Sequence, residues 1–132
     1  MYGRAKVYQE EHEYDLAIQD YDQLLQIKPD SVDALNGRGF AYAQQGDDHN
    51  AIRDYDQTLR ISPNYSAAFY NRSQAYARKG QFLRAVADRS RFFWLKFESL
   101  GITIRVFFVL SVGFGVALCF KRFRKTFDLR TS

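Results

Sequence analysis

Leu35, Gly39, Tyr42 and Ala43 recur at helical spacing, and Ala51, Ile52, Tyr55 and Leu59 do the same a few residues later. The pattern predicts two short helices, Val32–Gln45 and Asp48–Ile61, each with a single apolar stripe. A turn at Gly46–Asp47 joins them, and the second stops ahead of Pro63. Small residues at Gly39 and Ala51 let the two backbones approach, while Tyr42 and Tyr55 fill the space beside them. Neither helix can bury its stripe alone.

The same pattern returns every 34 residues. Arg4, Arg38 and Arg72 align, as do Tyr8, Tyr42 and Tyr76, Ala17, Ala51 and Ala85, and Pro29 with Pro63. IQDYDQLLQIKPDS at 18–31 becomes IRDYDQTLRISPNY at 52–65. Stacked copies bury a continuous core in which each unit touches only its neighbours, so the expected fold is an all-α solenoid of helical hairpins. A domain over 1–88 is expected, with units at about 1–31, 32–65 and 66–97, the last one degenerate.

Leu35, Gly39, Tyr42, Ala51, Tyr55 and Pro63 resemble the tetratricopeptide repeat family. The resemblance recurs at Met1, Ala5, Tyr8, Ala17, Tyr21 and Pro29, and begins again at Phe69, Ser73, Tyr76 and Ala85. Three departures stand out. Arg4, Arg38 and Arg72 occupy a position where the family usually has Leu. The first copy begins at its fourth position, and the third loses register after Asp88, where Arg89 replaces an aromatic and Phe97 a proline.

The resemblance implies a protein–protein interaction scaffold that holds a partner peptide in a concave groove lined by first helices. Carried over position by position, the groove residues are Lys6 and Gln9, then Asn36, Phe40 and Gln44, then Tyr70, Gln74 and Arg78. The partner's identity stays open. Some relatives clamp the carboxylates of chaperone tails, and the matching places here are Tyr2, Lys6, Gly37, Ala67 and Asn71. Only Lys6 among them is basic, so no such clamp is expected.

Candidate chemistry adds little. Asp20 and Asp22, like Asp54 and Asp56, are two residues apart on a helix and point about 200° apart, so neither pair can share a proton or an ion. Both read as a solvated acidic face. His12 and His49 stand in polar surroundings without further ligands at metal spacing, and the single Cys119 permits neither an internal disulfide nor a multi-thiolate zinc site. With no nucleophile–base pair and no phosphate loop, neither an enzyme nor a cofactor is expected.

Charge divides the chain. Residues 1–88 carry 10 Lys and Arg against 13 Asp and Glu, a net −3, while residues 89–132 carry 9 against 2, a net +7. Nine of the twelve Phe residues follow Arg91, and Arg105 is the one charge between Leu100 and Phe120. Thirteen Leu, Ile, Val and Phe residues there favour bilayer insertion by about 6 kcal/mol, against at most about 3 for Arg105. A transmembrane helix is therefore expected over 98–121, followed by a basic tail over 122–132. Lys121, Arg122, Arg124 and Lys125 form a headgroup-binding cluster on its flank. The short segment after Phe120 resembles a tail anchor, which would leave the repeats in the cytoplasm; the alternative is a soluble cytoplasmic chain with the apolar helix folded over the open end. Two further readings are a truncated or frame-altered continuation of a longer repeat protein, and a basic tail that binds anionic lipid or nucleic acid. The nucleic-acid version has the weaker signal and nucleic acid is not an expected partner, because the cluster abuts an apolar run and not a polar groove with stacking residues. Apolar stripes left uncovered at the ends make self-association a further expectation.

Overall fold

The computed structural model describes residues 1–100. Its described residues contain six helices and no strand: α1 (Tyr2–Glu10), α2 (Tyr14–Ile27), α3 (Val32–Gln44), α4 (Asp48–Ile61), α5 (Ser66–Arg78) and α6 (Phe82–Ser99). They pair as three antiparallel hairpins, α1 with α2, α3 with α4 and α5 with α6, which is the order a 34-residue register requires. The chain divides into two compact units, Met1–Leu95 and Lys96–Ser132.

Helix ends follow from local chemistry. α2 and α4 stop two residues before Pro29 and Pro63, because a proline ring disfavours helical geometry in the residue ahead of it. At the equivalent place in the third copy stands Phe97, and α6 runs for 18 residues where α2 and α4 run for 14. Each first helix closes with the same pair of backbone bonds. In the second copy Asp47 N–H donates to the Tyr42 carbonyl at 2.9 Å and Gly46 N–H to that of Ala43 at 3.2 Å. This closure needs a left-handed residue, supplied by Gly46 (φ 82°) and Gly80 (φ 71°).

His12 holds the same turn position in the first copy, at φ 62°. A side chain is strained there by about 1 kcal/mol relative to glycine. Its Nδ1 lies 2.7 Å from the Tyr14 hydroxyl, a contact that returns part of the cost. The His12→Gly variant is therefore expected to melt a few degrees higher than the parent in calorimetry. A lower midpoint would mean that the Tyr14 contact outweighs the backbone strain.

The core is built from small residues and tyrosines. Ala5, Ala17, Ala34, Leu35 and Ala41 surround Tyr21 in one cluster, and Ala51 and Ala68 flank Tyr55 in the next. Ring and backbone meet closely: a Cβ on Gly37 would lie 2.5 Å from Tyr21 Cζ, and one on Gly39 would lie 2.8 Å from Tyr55 Cε1. Each tyrosine thus fills a slot that the absence of a side chain opens.

Asp20 and Asp54 are not solvated, contrary to the expectation from sequence; they are 4% and 0% exposed. Arg4 Nε and Nη2 each donate to Asp20 at 2.6 Å, Arg38 grips Asp54 at 2.7 and 2.8 Å, and Arg72 grips Asp88 at 2.7 Å. The arginines at the family's Leu position therefore each grip a buried aspartate, one per hairpin; Arg38 and Arg72 are themselves largely buried, while Arg4 at the end of the array is exposed. A third donor reaches backwards. Arg38 Nη1 binds Asp22 and Arg72 Nη1 binds Asp56, both at 2.6 Å, so each arginine also ties its hairpin to the preceding one. Burial of the three aspartates is possible because both carboxylate oxygens are met by a two-pronged donor.

These contacts give a pH signature. Hydrogen bonds from Arg4 hold the Asp20 carboxyl below its usual range, against burial that pushes it up. The backbone N–H of Asn50 does the same for Asp47, which caps α4. A carboxyl whose pKa is lower in the folded state stabilises fully above the ordinary aspartate value and loses that contribution as pH falls through the folded value. The melting midpoint should thus hold steady from neutral pH down to about 5 and drop below about 4. An Arg4→Ala variant should show a shallower acid limb by circular dichroism.

Candidate functional site

α1, α3 and α5 are the first helices of the three hairpins, and α3 contacts both α1 and α5. Lys6 and Gln9 stand on α1, Asn36, Phe40 and Gln44 on α3, and Tyr70, Gln74 and Arg78 on α5. The structure divides these eight residues into two groups.

Four remain available at the surface. Lys6 is exposed, its Nζ 5.9 Å from the Tyr2 ring centre. Phe40 is 36% exposed in the middle of the row, an apolar ring presented to solvent. Gln44 and Gln74 are exposed polar side chains on either side of it. Together they offer one aromatic anchor, one cation and two amides able to donate and accept.

The other four brace the fold. Gln9 Nε2 donates to the Gly37 carbonyl at 2.8 Å while its Oε1 accepts from the Tyr21 hydroxyl at 2.8 Å, so this amide fastens α1 to α2 and α3. Asn71 donates to Asn36 at 3.3 Å between α5 and α3. Arg78 reaches Asp48 on α4 at 2.5 Å, and that pair raises the arginine's pKa. Tyr70 packs against Phe92 with ring centres 5.1 Å apart and lies under the Arg89 guanidinium at 4.8 Å.

Residues outside the expected set extend the surface. Tyr2 is 38% exposed at the α1 end, and Phe93, 59% exposed, continues the Tyr70–Phe92 group on α6. The 34-residue register carried a signal for the latter, since Arg89 stands where Tyr21 and Tyr55 stand in the other copies.

Among the described residues no group of His, Cys, Asp and Glu could hold a metal ion, and no helix is long and apolar enough to cross a membrane. The span expected over 98–121 lies outside the described residues except for its first three, of which 98 and 99 end α6. Its flanking Arg105, Lys121, Arg122, Arg124 and Lys125 lie outside them altogether.

The family described as Tetratricopeptide repeat matches residues 5–68. No curated protein matches the chain in sequence. Solved structures do match in fold. The second TPR domain of Spaghetti (RPAP3), bound to the HSP90 peptide SRMEEVD, is 24% identical with a TM-score of 0.69, over 70% of this chain and 86% of that one. The second TPR domain of human RPAP3, in complex with the HSP70 peptide SGPTIEEVD, is 24% identical at 0.67, over 70% and 78%. The Sgt2 TPR domain from Aspergillus fumigatus is 23% identical at 0.69, over 71% of this chain and 62% of that one.

Proposed function

Residues 5–68 are a tetratricopeptide repeat segment, and from that premise we propose that the protein is an interaction scaffold whose first helices hold a partner peptide. The observation that carries this is the row of exposed side chains Lys6, Phe40, Gln44 and Gln74 on the first helices, beside Gln9, Asn36, Tyr70 and Arg78, which are engaged by neighbouring helices. The support reaches from fold to chemistry: two of the structural relatives bind peptides on this fold. The peptide itself differs here. Of the five places that would form a carboxylate clamp, only Lys6 is charged; Gly37 lies against Tyr21 and Asn71 is bonded to Asn36. A ligand with one apolar side chain for Phe40 and few charges suits this surface better than an acidic tail.

Selection of random peptides on the immobilised full chain, followed by titration of the winners, tests the reading. Phe40→Ala is expected to weaken the selected peptides by about tenfold or more, the loss of one well-buried aromatic contact. Winners indifferent to both Phe40→Ala and Lys6→Ala would reject it.

We also propose that the segment 98–121 anchors the scaffold in a membrane. The support is sequence alone: an apolar run with one charge, followed by four cations. Carbonate extraction of membranes carrying the full chain should leave it in the pellet, and full recovery in the supernatant would reject the anchor.

A further inference from the structure

Each second helix in the stack receives the next first helix, and the chemistry of that seat is repeated. On α2, Tyr21 and Leu25 meet Leu35, while Asp22 takes Arg38 and Asp15 accepts from Gln45 at 2.6 Å. On α4, Tyr55 packs with Ala68, while Asp56 takes Arg72 and Asp48 takes Arg78. Both seats are an aromatic and aliphatic stripe bordered by acids.

On α6 the seat is rewritten. The register places Phe82 where Asp48 stands, Val86 where Ile52 stands, Arg89 at Tyr55, Ser90 at Asp56 and Phe93 at Leu59. Every acid that receives a following helix is gone. Without the tyrosine ring, α5 and α6 enclose an open hollow of about 280 Å³ lined by Ser73, Ala77, Phe82, Ala85, Val86 and Arg89, among others. Phe82, Val86 and the neighbouring Leu83 are 68%, 63% and 90% exposed. The Arg89 guanidinium rests over the Tyr70 and Phe93 rings at 4.8 and 5.9 Å, and among the described residues it has no ion pair.

We propose that this α5–α6 face docks an amphipathic helix of another protein, with a bulky apolar stripe for the hollow and acidic residues along the edge that meets Arg89. The site adjoins the row around Phe40, since Gln74 lines the hollow as well, but its apolar wall of Phe82, Ala85 and Val86 and its cation, Arg89, lie outside that row. The occupant is helical because the equivalent faces of α2 and α4 are each covered by a helix. Its sign follows from the reversal of charge: an arginine stands where a ring was, and a serine where an aspartate was. A second copy of this chain is the wrong occupant. Its α1 would bring Arg4 to Ser90 in place of an aspartate, beside the like charge of Arg89.

Two synthetic helical peptides with the same Leu and Phe stripe, one bordered by Glu and one by Lys, test this against the full chain in detergent. The Glu peptide is expected to bind at least about tenfold tighter at low salt, with the preference fading as salt rises. Val86→Glu, at an exposed position that leaves the fold intact, should abolish binding of the Glu peptide. Arg89→Ala should retain binding of the stripe but erase the preference for Glu. Micelle partition is common to all variants, so only differences between them count. Phe40→Ala should leave both peptides unaffected, which separates this site from the peptide row. Equal affinity for the two peptides, failure of the Glu peptide to bind the parent, or indifference to Val86→Glu would overturn the proposal.

Discussion

Replacing Arg38 with alanine is expected to cost about 3–5 kcal/mol of unfolding free energy, a large share of the about 5–15 kcal/mol that holds a small domain together. The reason is the carboxylate left behind. Asp54 is fully buried, and its two oxygens are met by Nε and Nη2 of Arg38; without them a charge sits in the interior with no compensating donor. Asp22 loses its bond as well, but it stands near solvent and contributes little. Lysine should not rescue the variant, because a single ammonium cannot meet two oxygens and a third acceptor in this planar arrangement. The double replacement Arg38→Met with Asp54→Leu should recover most of the loss, since the penalty comes from breaking the pair more than from lacking it. Denaturant titration of the three variants checks the order: Arg38→Ala least stable, the double variant close to the parent. A double variant as unstable as the single one would assign the cost to lost packing.

Tyr55→Ala is expected to be comparably severe, at about 3–5 kcal/mol. The ring is wholly buried between the second and third hairpins, in contact with the backbone at Gly39 and packed with Ala51 and Ala68. Helices on three sides cannot all collapse into the space, so transfer and cavity costs add. The hydroxyl itself is dispensable: among the described residues Tyr55 Oη has no hydrogen-bond partner, so Tyr55→Phe should be neutral or slightly stabilising. The register supplies an internal control at Arg89, whose replacement by alanine removes no buried ring and should change stability little. Calorimetry on the three variants separates a packing role from a hydrogen-bonding one.

The hairpins were legible because apolar spacing and turn residues act locally. Leu35, Gly39 and Tyr42 mark one helix face, Gly46 marks the turn and Pro63 the stop, and the helix bounds agree to within a residue. The arginine–aspartate pairs were not read, although Arg4, Arg38 and Arg72 each precede an aspartate by 16 residues. Two residues that far apart meet only when the hairpin closes, and a pair of acids on a polar helix face looks solvated until the partner is placed. The same holds for the surface row. Outward spacing identifies which residues leave the core, but Gln9, Asn36, Tyr70 and Arg78 turn out to be occupied by neighbours from other helices. Lys6, Phe40, Gln44 and Gln74 remain.

Amide-resolved hydrogen exchange of the full chain, with and without a saturating selected peptide, tests most directly that the first helices form the binding surface. Added protection is expected on α1, α3 and α5, centred on Phe40 and reaching Lys6 and Gln74. Protection confined to the outer faces of α2 and α4, with the helix around Phe40 unchanged, would contradict it.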